Sequence, residues 1–218
     1  MAGTLQLGGI TVLEESGGTV TAPNNLSVTG TISGTIGSTT TFPTGHIIKI
    51  ASTTLRTAHT YTTTGSWVDT HLYLEFTPTY STSNILLQYH VAFSSTNDAF
   101  GRIVRYTEAQ FASHSANSSN PTGCTPIAVP SEDAGTLSDI GGAGEQYRGT
   151  WQFYMPSNQY SAPVLPMTHM DSPATTSKIY YGFQGHIGGS GQTCRLNTSA
   201  NDVKTRAVSS ITIYEVAG

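Results

Sequence analysis

Seven histidines, thirteen carboxylates and two cysteines are the side chains of this 218-residue chain that could bind a metal or move a proton. The histidines stand at 46, 59, 71, 90, 114, 169 and 186, and no two are two or four residues apart. Those spacings matter because i, i+4 places two imidazoles on one helix face and i, i+2 on one strand face. Ligands drawn from separate strands stay open as the alternative to hydrogen-bonded or exposed histidines. No HExxH, no GKS or GKT loop and no GxSxG elbow occurs: GGSGQ at 188–192 lacks the final glycine. The cluster GGAGEQ at 141–146 lacks the third glycine of a dinucleotide fingerprint. A glycan hydrolase needs two carboxylates flanking the scissile bond. The candidates are Glu75, Glu108, Glu132, Asp133, Asp139, Glu145, Asp171, Asp202 and Glu215, and no spacing singles out two of them; Glu132 and Asp133 read as a solvated turn. The expectation is a chain with no catalytic residues, no metal site and no cofactor, and not an enzyme.

Cys124 and Cys194 show no CxxC spacing and read as two buried free thiols, with a disulfide as the alternative. The sequons at Asn25, Asn117 and Asn197 matter only in a secretory pathway, and the start, MAGTLQLGG, has neither the basic region nor the apolar run of a signal peptide. No stretch reaches the ~20 apolar residues of a membrane helix, so no membrane insertion is expected. The net charge is −4 and the nine Lys and Arg are scattered from Lys49 to Arg206, which argues against nucleic acid because phosphates need a basic stripe. Aromatic residues gather late in the chain, at Tyr147, Trp151, Tyr154, Tyr160, Tyr180 and Tyr181. Alternation puts Trp151 in the core, and Tyr154 and Tyr180 on the opposite faces of their strands. A subunit interface is preferred there over stacking on sugar rings, since aromatics are enriched at interface cores.

The elements that would position these groups are strands. Charged residues make up 10% of the chain, against roughly 25% in an average soluble domain. Thr, Ser, Tyr and Val carry the polarity and bulk instead, and β-branched and aromatic side chains suit a pleated surface. ILLQYHVAF (85–93) puts Ile85, Leu87, Tyr89, Val91 and Phe93 on one face, with Gln88 and His90 opposite. LYLEF (72–76), WQFYM (151–155), KIYYGFQ (178–184) and SSITIYEV (209–216) behave alike, and IIKI and RIVRY add shorter strands. The expected fold is all-β, an antiparallel jelly-roll-like sandwich over 46–218. TEAQFASHSA (107–116) is the one helix-like piece. The connection from 112 to 147 reads as a long surface excursion with a short strand at TPIAV, or as a tolerated insertion.

Residues 1–45 differ: their only charges are Glu14 and Glu15, and LQLGGITV (5–12) and NLSVTGTISGTI (25–36) alternate with period two. Glycines at 30, 34 and 37 shorten each extended piece.

Several segments in order resemble the C-terminal domain of bacteriophage tail-fibre and related virion fibre proteins, many of them from aquatic phages. PTGHIIKIASTT (43–54) is similar to that family's opening strand. GSWVDTHLYLEFTPTYSTSNILLQYHV (65–91) is similar to its strand, Thr-Pro and Ser/Thr turn, and buried strand. MDSPATTSKIYYGFQ (170–184) resembles its Asp-Ser-Pro hairpin, and RLN (195–197) with SSITIYEVAG (209–218) its closing strands. The likeness covers about 43 to 218; the region 95–149 departs from it, and no receptor-binding residue is carried over, so those residues stay unknown. The resemblance implies a structural virion protein, a tail fibre or tail-tip protein mediating host-surface adsorption as a homotrimer. Its location would be the outer surface of the phage tail, after assembly in the host cytoplasm. Residues 1–45 would be an extended, trimer-intertwined attachment or shaft segment meeting other tail or baseplate proteins, because the uncharged, glycine-spaced stretch 24–46 suits three chains around one axis. The host partner would be a cell-surface glycan or an outer-membrane protein. The alternatives are a capsid fibre or decoration protein, and a tail-spike polysaccharide-degrading enzyme.

Overall fold

The alternation at 85–93 becomes the central strand of the molecule. In the computed structural model, which describes residues 3–7, 10–16, 19–21, 42–62, 67–95, 99–116, 124–127, 151–153, 162–187, 193–199 and 206–218, β7 runs Asn84–Ser95. Only the backbone is described at 3–21, 99, 151–153 and 187. Ile85, Leu87, Tyr89, Val91 and Phe93 are fully buried, while His90 on the other face is exposed.

Two antiparallel sheets form around this strand. In the first, β4 (Ile47–Leu55) pairs with β14 (Ser209–Val216), and β14 pairs with β7. The far edge of β7 is shared: β11 (Val164–Asp171) takes residues 85–92, and β13 (Cys194–Leu196) takes 93–95 and pairs in turn with β5 (His59–Tyr61). In the second, the order is β10 (Trp151–Phe153), β8 (Ala99–Thr107), β12 (Ile179–Ile187), β6 (Trp67–Phe76), with β9 (Thr125–Ile127) also on β8. The long strands thus lie β4-β14-β7-β11 in one sheet and β10-β8-β12-β6 in the other. From β4 to β8 the chain changes sheet at each long strand. That order is a jelly roll, the two-sheet arrangement expected from the strand pattern.

Two connections cross between the sheets, one of them at a segment expected to turn back as a hairpin. β6 and β7 belong to different sheets, so 77–83 is an arch over the end of the sandwich. The same holds for β11 and β12: the Asp-Ser-Pro segment expected as a hairpin is a second arch. Alternation specifies which face of a strand is apolar and says nothing of which neighbour covers it. The helix-like stretch is a single turn, α1 (Glu108–Phe111), whose capping box joins Thr107 and Gln110: the Gln110 amide donates to Thr107 Oγ1 at 3.3 Å, and the Thr107 amide donates to Gln110 Oε1 at 2.8 Å.

Between the sheets Phe93 meets Phe183 edge-on at 5.5 Å, and the Tyr89 hydroxyl donates across to the Gly182 carbonyl at 3.3 Å. Gly185 of β12 faces Phe93 so closely that a Cβ there would lie 2.7 Å from the ring.

The chain divides into two units, Met1–Thr41 and Phe42–Gly218. In the first, β1 (Gly3–Leu7), β2 (Ile10–Ser16) and β3 (Thr19–Thr21) form an antiparallel meander. Over these strands the expected extended course is replaced by pairing within one chain. The segment 24–41 lies outside the described residues.

Candidate functional site

The outer face of the β8-β12-β6 sheet collects polar and aromatic side chains that the strand registers bring into rows. Asp69 of β6 is opposite Gln184 of β12, which is opposite Arg102 of β8. Gln184 Nε2 donates to Asp69 Oδ1 at 2.8 Å, to the Tyr106 hydroxyl oxygen at 3.1 Å and to Cys124 Sγ at 3.4 Å, while its Oε1 accepts from Arg102 Nε at 2.7 Å. The Tyr106 hydroxyl also donates to Asp69. Asp69 is 2% exposed, so this carboxylate is closed off from any substrate and acts as a hydrogen-bond anchor. Burial first, then the Asp69 charge, holds the Tyr106 phenol far above its ordinary value.

Arg102 lies over Trp67 with its guanidinium 4.1 Å from the ring centroid. His186 sits beside the same indole at 5.3 Å and edge-on to Phe100 at 5.7 Å. Burial, and next the Arg102 charge, lower its pKa to about 4. Imidazole at this place is therefore neutral at physiological pH.

The chain leaving β8 folds back over this face. Phe111 of α1 stacks on Tyr180 with centroids 3.8 Å apart, and His114 meets Tyr73 at 5.3 Å and Tyr106 at 5.8 Å. Tyr180, placed on the outward face as expected, thus has an intramolecular partner, and its hydroxyl donates to Glu75 Oε2 at 3.0 Å. Lys178 bridges Glu75 at 3.6 Å and Glu108 at 3.2 Å, and the Glu108 contact leads in raising its pKa.

Beside α1 lies a surface cleft of about 710 Å³, between the turn 107–112 and the arch 173–178. Thr107, Gln110, Thr125, Thr175 and Ser177 supply hydroxyl and amide groups to its wall. Its charged residues are matched: Arg105 pairs with Asp171, and Lys178 with Glu108.

Three other buried polar groups hold connections between strands. Glu215, fully buried, accepts from the Thr79 amide at 2.5 Å, Thr79 Oγ1 at 2.8 Å, the Tyr80 amide at 3.3 Å and Ser83 Oγ at 2.8 Å. Asp171 accepts from Arg105 and, at 2.7 Å, from the Tyr181 hydroxyl. Asn197, in a left-handed conformation at φ 64°, donates to the Leu55 and Thr57 carbonyls at 2.7 and 3.0 Å. That sequon asparagine is fully buried and so cannot carry a glycan on the folded chain.

The histidines are brought together once: His59 and His71 stack at 3.6 Å, with Tyr61 within 3.1 Å of His71 Nδ1. Among the described residues no three His, Cys, Asp or Glu side chains are grouped to hold a metal. Cys124 and Cys194 are both free, Cys194 buried as expected but Cys124 only half-buried, because it lies on the outer face of its sheet. Burial pushes the Cys194 thiol up to about 12. Glu132, Asp133, Asp139, Glu145, Asp202, Tyr147, Tyr154 and Tyr160 lie outside the described residues, as does the side chain of Trp151. Arg102, Gln184, Phe111 and Lys178 are not singled out in the sequence, and His114 is named there only as one of seven histidines. Their partners are strand neighbours far away in the chain, and no local spacing marks them.

The fold class is an antiparallel jelly-roll sandwich with a surface cleft beside α1. No family model matches the chain, and no curated protein matches it. Among solved structures, one described as "Structure of infectious bursal disease virus Gx strain" is similar at a TM-score of 0.33 and 7% identity, over 96% of this chain and 48% of that one. The chain therefore spans about half the length of that structure's chain.

Proposed function

We propose that this chain is a non-enzymatic structural protein of a bacteriophage virion, a tail-fibre or tail-tip protein that adsorbs to the host surface as a homotrimer. The observation that carries this reading is how the fibre-like segments are used. WVDT supplies Asp69, TPTYSTS and the last strand supply the Glu215 clamp, MDSP supplies Asp171, and RLN supplies Asn197. All four are joints of one jelly roll, so the segments on which the resemblance rests belong to a single domain of this chain. The three carboxylates among them, Asp69, Asp171 and Glu215, are buried and already hydrogen-bonded, and a general acid or base must reach its substrate. Among the described residues the cleft beside α1 faces solvent with hydroxyl and amide groups, apolar wall residues and the paired Glu108 and Lys178, a surface on which a host glycan could rest. Three such sites on one particle give avidity without tight single-site binding.

The test is binding of labelled full-length chain to a panel of aquatic bacteria and to their purified surface polysaccharides. Saturable binding with no release of reducing ends supports adsorption. Release of reducing ends overturns it in favour of a depolymerase, and absence of binding across the panel overturns the glycan receptor. Ala109→Trp, an exposed position on the cleft wall, fills the cleft without touching the core and is expected to abolish polysaccharide binding.

A further inference from the structure

We infer that the outer face of the β4-β14-β7-β11 sheet is where copies of this chain meet. This rests on the homo-oligomeric part of the reading above and adds the surface that would make it. The register across the four strands places Ile50, Tyr214, Leu86 and Met170 in one row, each opposite the next. Ile50 is 60% exposed and Met170 48%. Val216 and Ile47, paired one step toward the end of the sheet and with Ile47 49% exposed, widen the apolar strip. The neighbouring row is Ser52, Thr212, Gln88 and Thr168.

Along these four strands the face carries no Lys, Arg, Asp or Glu; His90 stands in the following row, opposite Ser210 and Pro166, and Arg195 of β13 lies at the far end of the sheet, opposite Ser94. The other sheet differs sharply: its outer face holds Asp69, Glu75 and Arg102, and α1 is folded across it. An apolar strip in an uncharged surround is what a homotypic contact needs. Groups close to a symmetry axis meet their own copies, so a charge there would be repelled by its equivalents, and the central row of this face carries none. A charged or chemically distinct partner would be met by complementary charges, and this face has none to offer.

Size agrees. β14 and β11 are each 8 residues long. With a rise of about 3.4 Å per residue and about 4.8 Å between strands, four such strands present roughly 500 Å² per copy, which is on the order of 1,000 Å² for two faces in contact and on the order of 1,500 Å² for a trimer, shared over its three contacts. Specific interfaces begin at about 1,000 Å² in total. Around a threefold axis along the strands, Tyr214 and Leu86 on the two central strands come nearest the axis. Ile50 at one edge then faces Met170 at the opposite edge of the next copy.

The experiment is native mass by light scattering of the full-length chain, beside full-length Ile50→Glu and Thr168→Arg. Both positions are exposed, so neither change costs core packing, and far-ultraviolet circular dichroism checks each fold. The expected result is a trimer for the parent and a threefold fall in mass for both variants. A dimer that the same charges disperse keeps the face as the contact and overturns the threefold order. A trimer that survives both charges overturns this inference while leaving the homotrimer standing on some other surface. A parent chain that stays monomeric at every concentration overturns both and leaves the face to a different protein.

Discussion

Glu215 shows how a single carboxylate closes the end of the sandwich. Its two oxygens receive four donors from the arch 79–83, so the charge is spread over hydrogen bonds rather than matched by a cation. Charge-assisted bonds are about twice as strong as neutral ones. Glu215→Gln keeps the shape and removes the charge, and it turns an NH2 toward one donor. Urea unfolding should show a loss of about 1–3 kcal/mol with the m-value unchanged; an unchanged midpoint would mean the arch is held by other contacts. His186 makes a pH prediction. Its folded pKa of about 4 lies below its ordinary 6.5, so between these values the unfolded chain binds a proton that the folded chain refuses. Stability is therefore complete above pH 6.5 and declines as pH falls toward 4. The slope from this group is at most about 1.4 kcal/mol per pH unit. His59 and His71, also held low by burial, act in the same direction. Replacing His186 with Phe, among Trp67 and Phe100, should flatten the decline by up to one proton, measured as the pH dependence of the urea midpoint. An identical slope in the variant would assign the acid sensitivity to other groups.

At the scale of elements, the tightest constraint lies where β12 crosses β7. A Cβ on Gly185 would sit 2.7 Å from Phe93, whose ring is fully buried and edge-on to Phe183. Gly185→Ala should cost about 1–3 kcal/mol by overpacking, and adding Phe93→Leu should return part of that loss. Additive costs in the double variant would show that the two side chains do not compete for the space. The strands themselves were legible: β7 and β14 alternate so regularly that their buried faces follow from the residues alone, and TPIAV holds the short β9 expected there. The arches were not, because Thr-Pro and Asp-Ser-Pro mark a change of direction without saying whether the next strand stays in the sheet. The polar network was illegible for the same reason. Asp69 lies 115 residues from Gln184 and 37 from Tyr106, and only the register of β6, β12 and β8 makes them neighbours. The cleft depends on α1, whose one turn has no apolar period to read.

For the molecule as a whole, the question is how much of its order depends on the first forty residues. The core cluster runs from Tyr61 to Ile213, within Phe42–Gly218, and draws on both sheets. The entry to that unit is fastened locally. The His46 amide donates to the Pro43 carbonyl at 3.0 Å, closing a turn in which Gly45 takes φ 85°, the left-handed position that glycine fills without strain. The Gly45 amide then donates to the Ala217 carbonyl, and the Ala217 amide to the His46 carbonyl, each at 2.8 Å, so the first and last residues of the sandwich hold one another. A chain beginning at Phe42 should therefore fold, and its unfolding midpoint should match that of the sandwich in the full chain. Were residues 1–41 a required staple, the shortened chain would unfold at lower urea. The same chain separates two origins of self-association. Contact through the uncharged sheet face lies wholly within 42–218, so the shortened chain should keep the full chain's number of copies. An intertwined N-terminal segment as the source would leave it a single folded copy, because the pairing that joined the chains would have been removed while the jelly roll stayed intact.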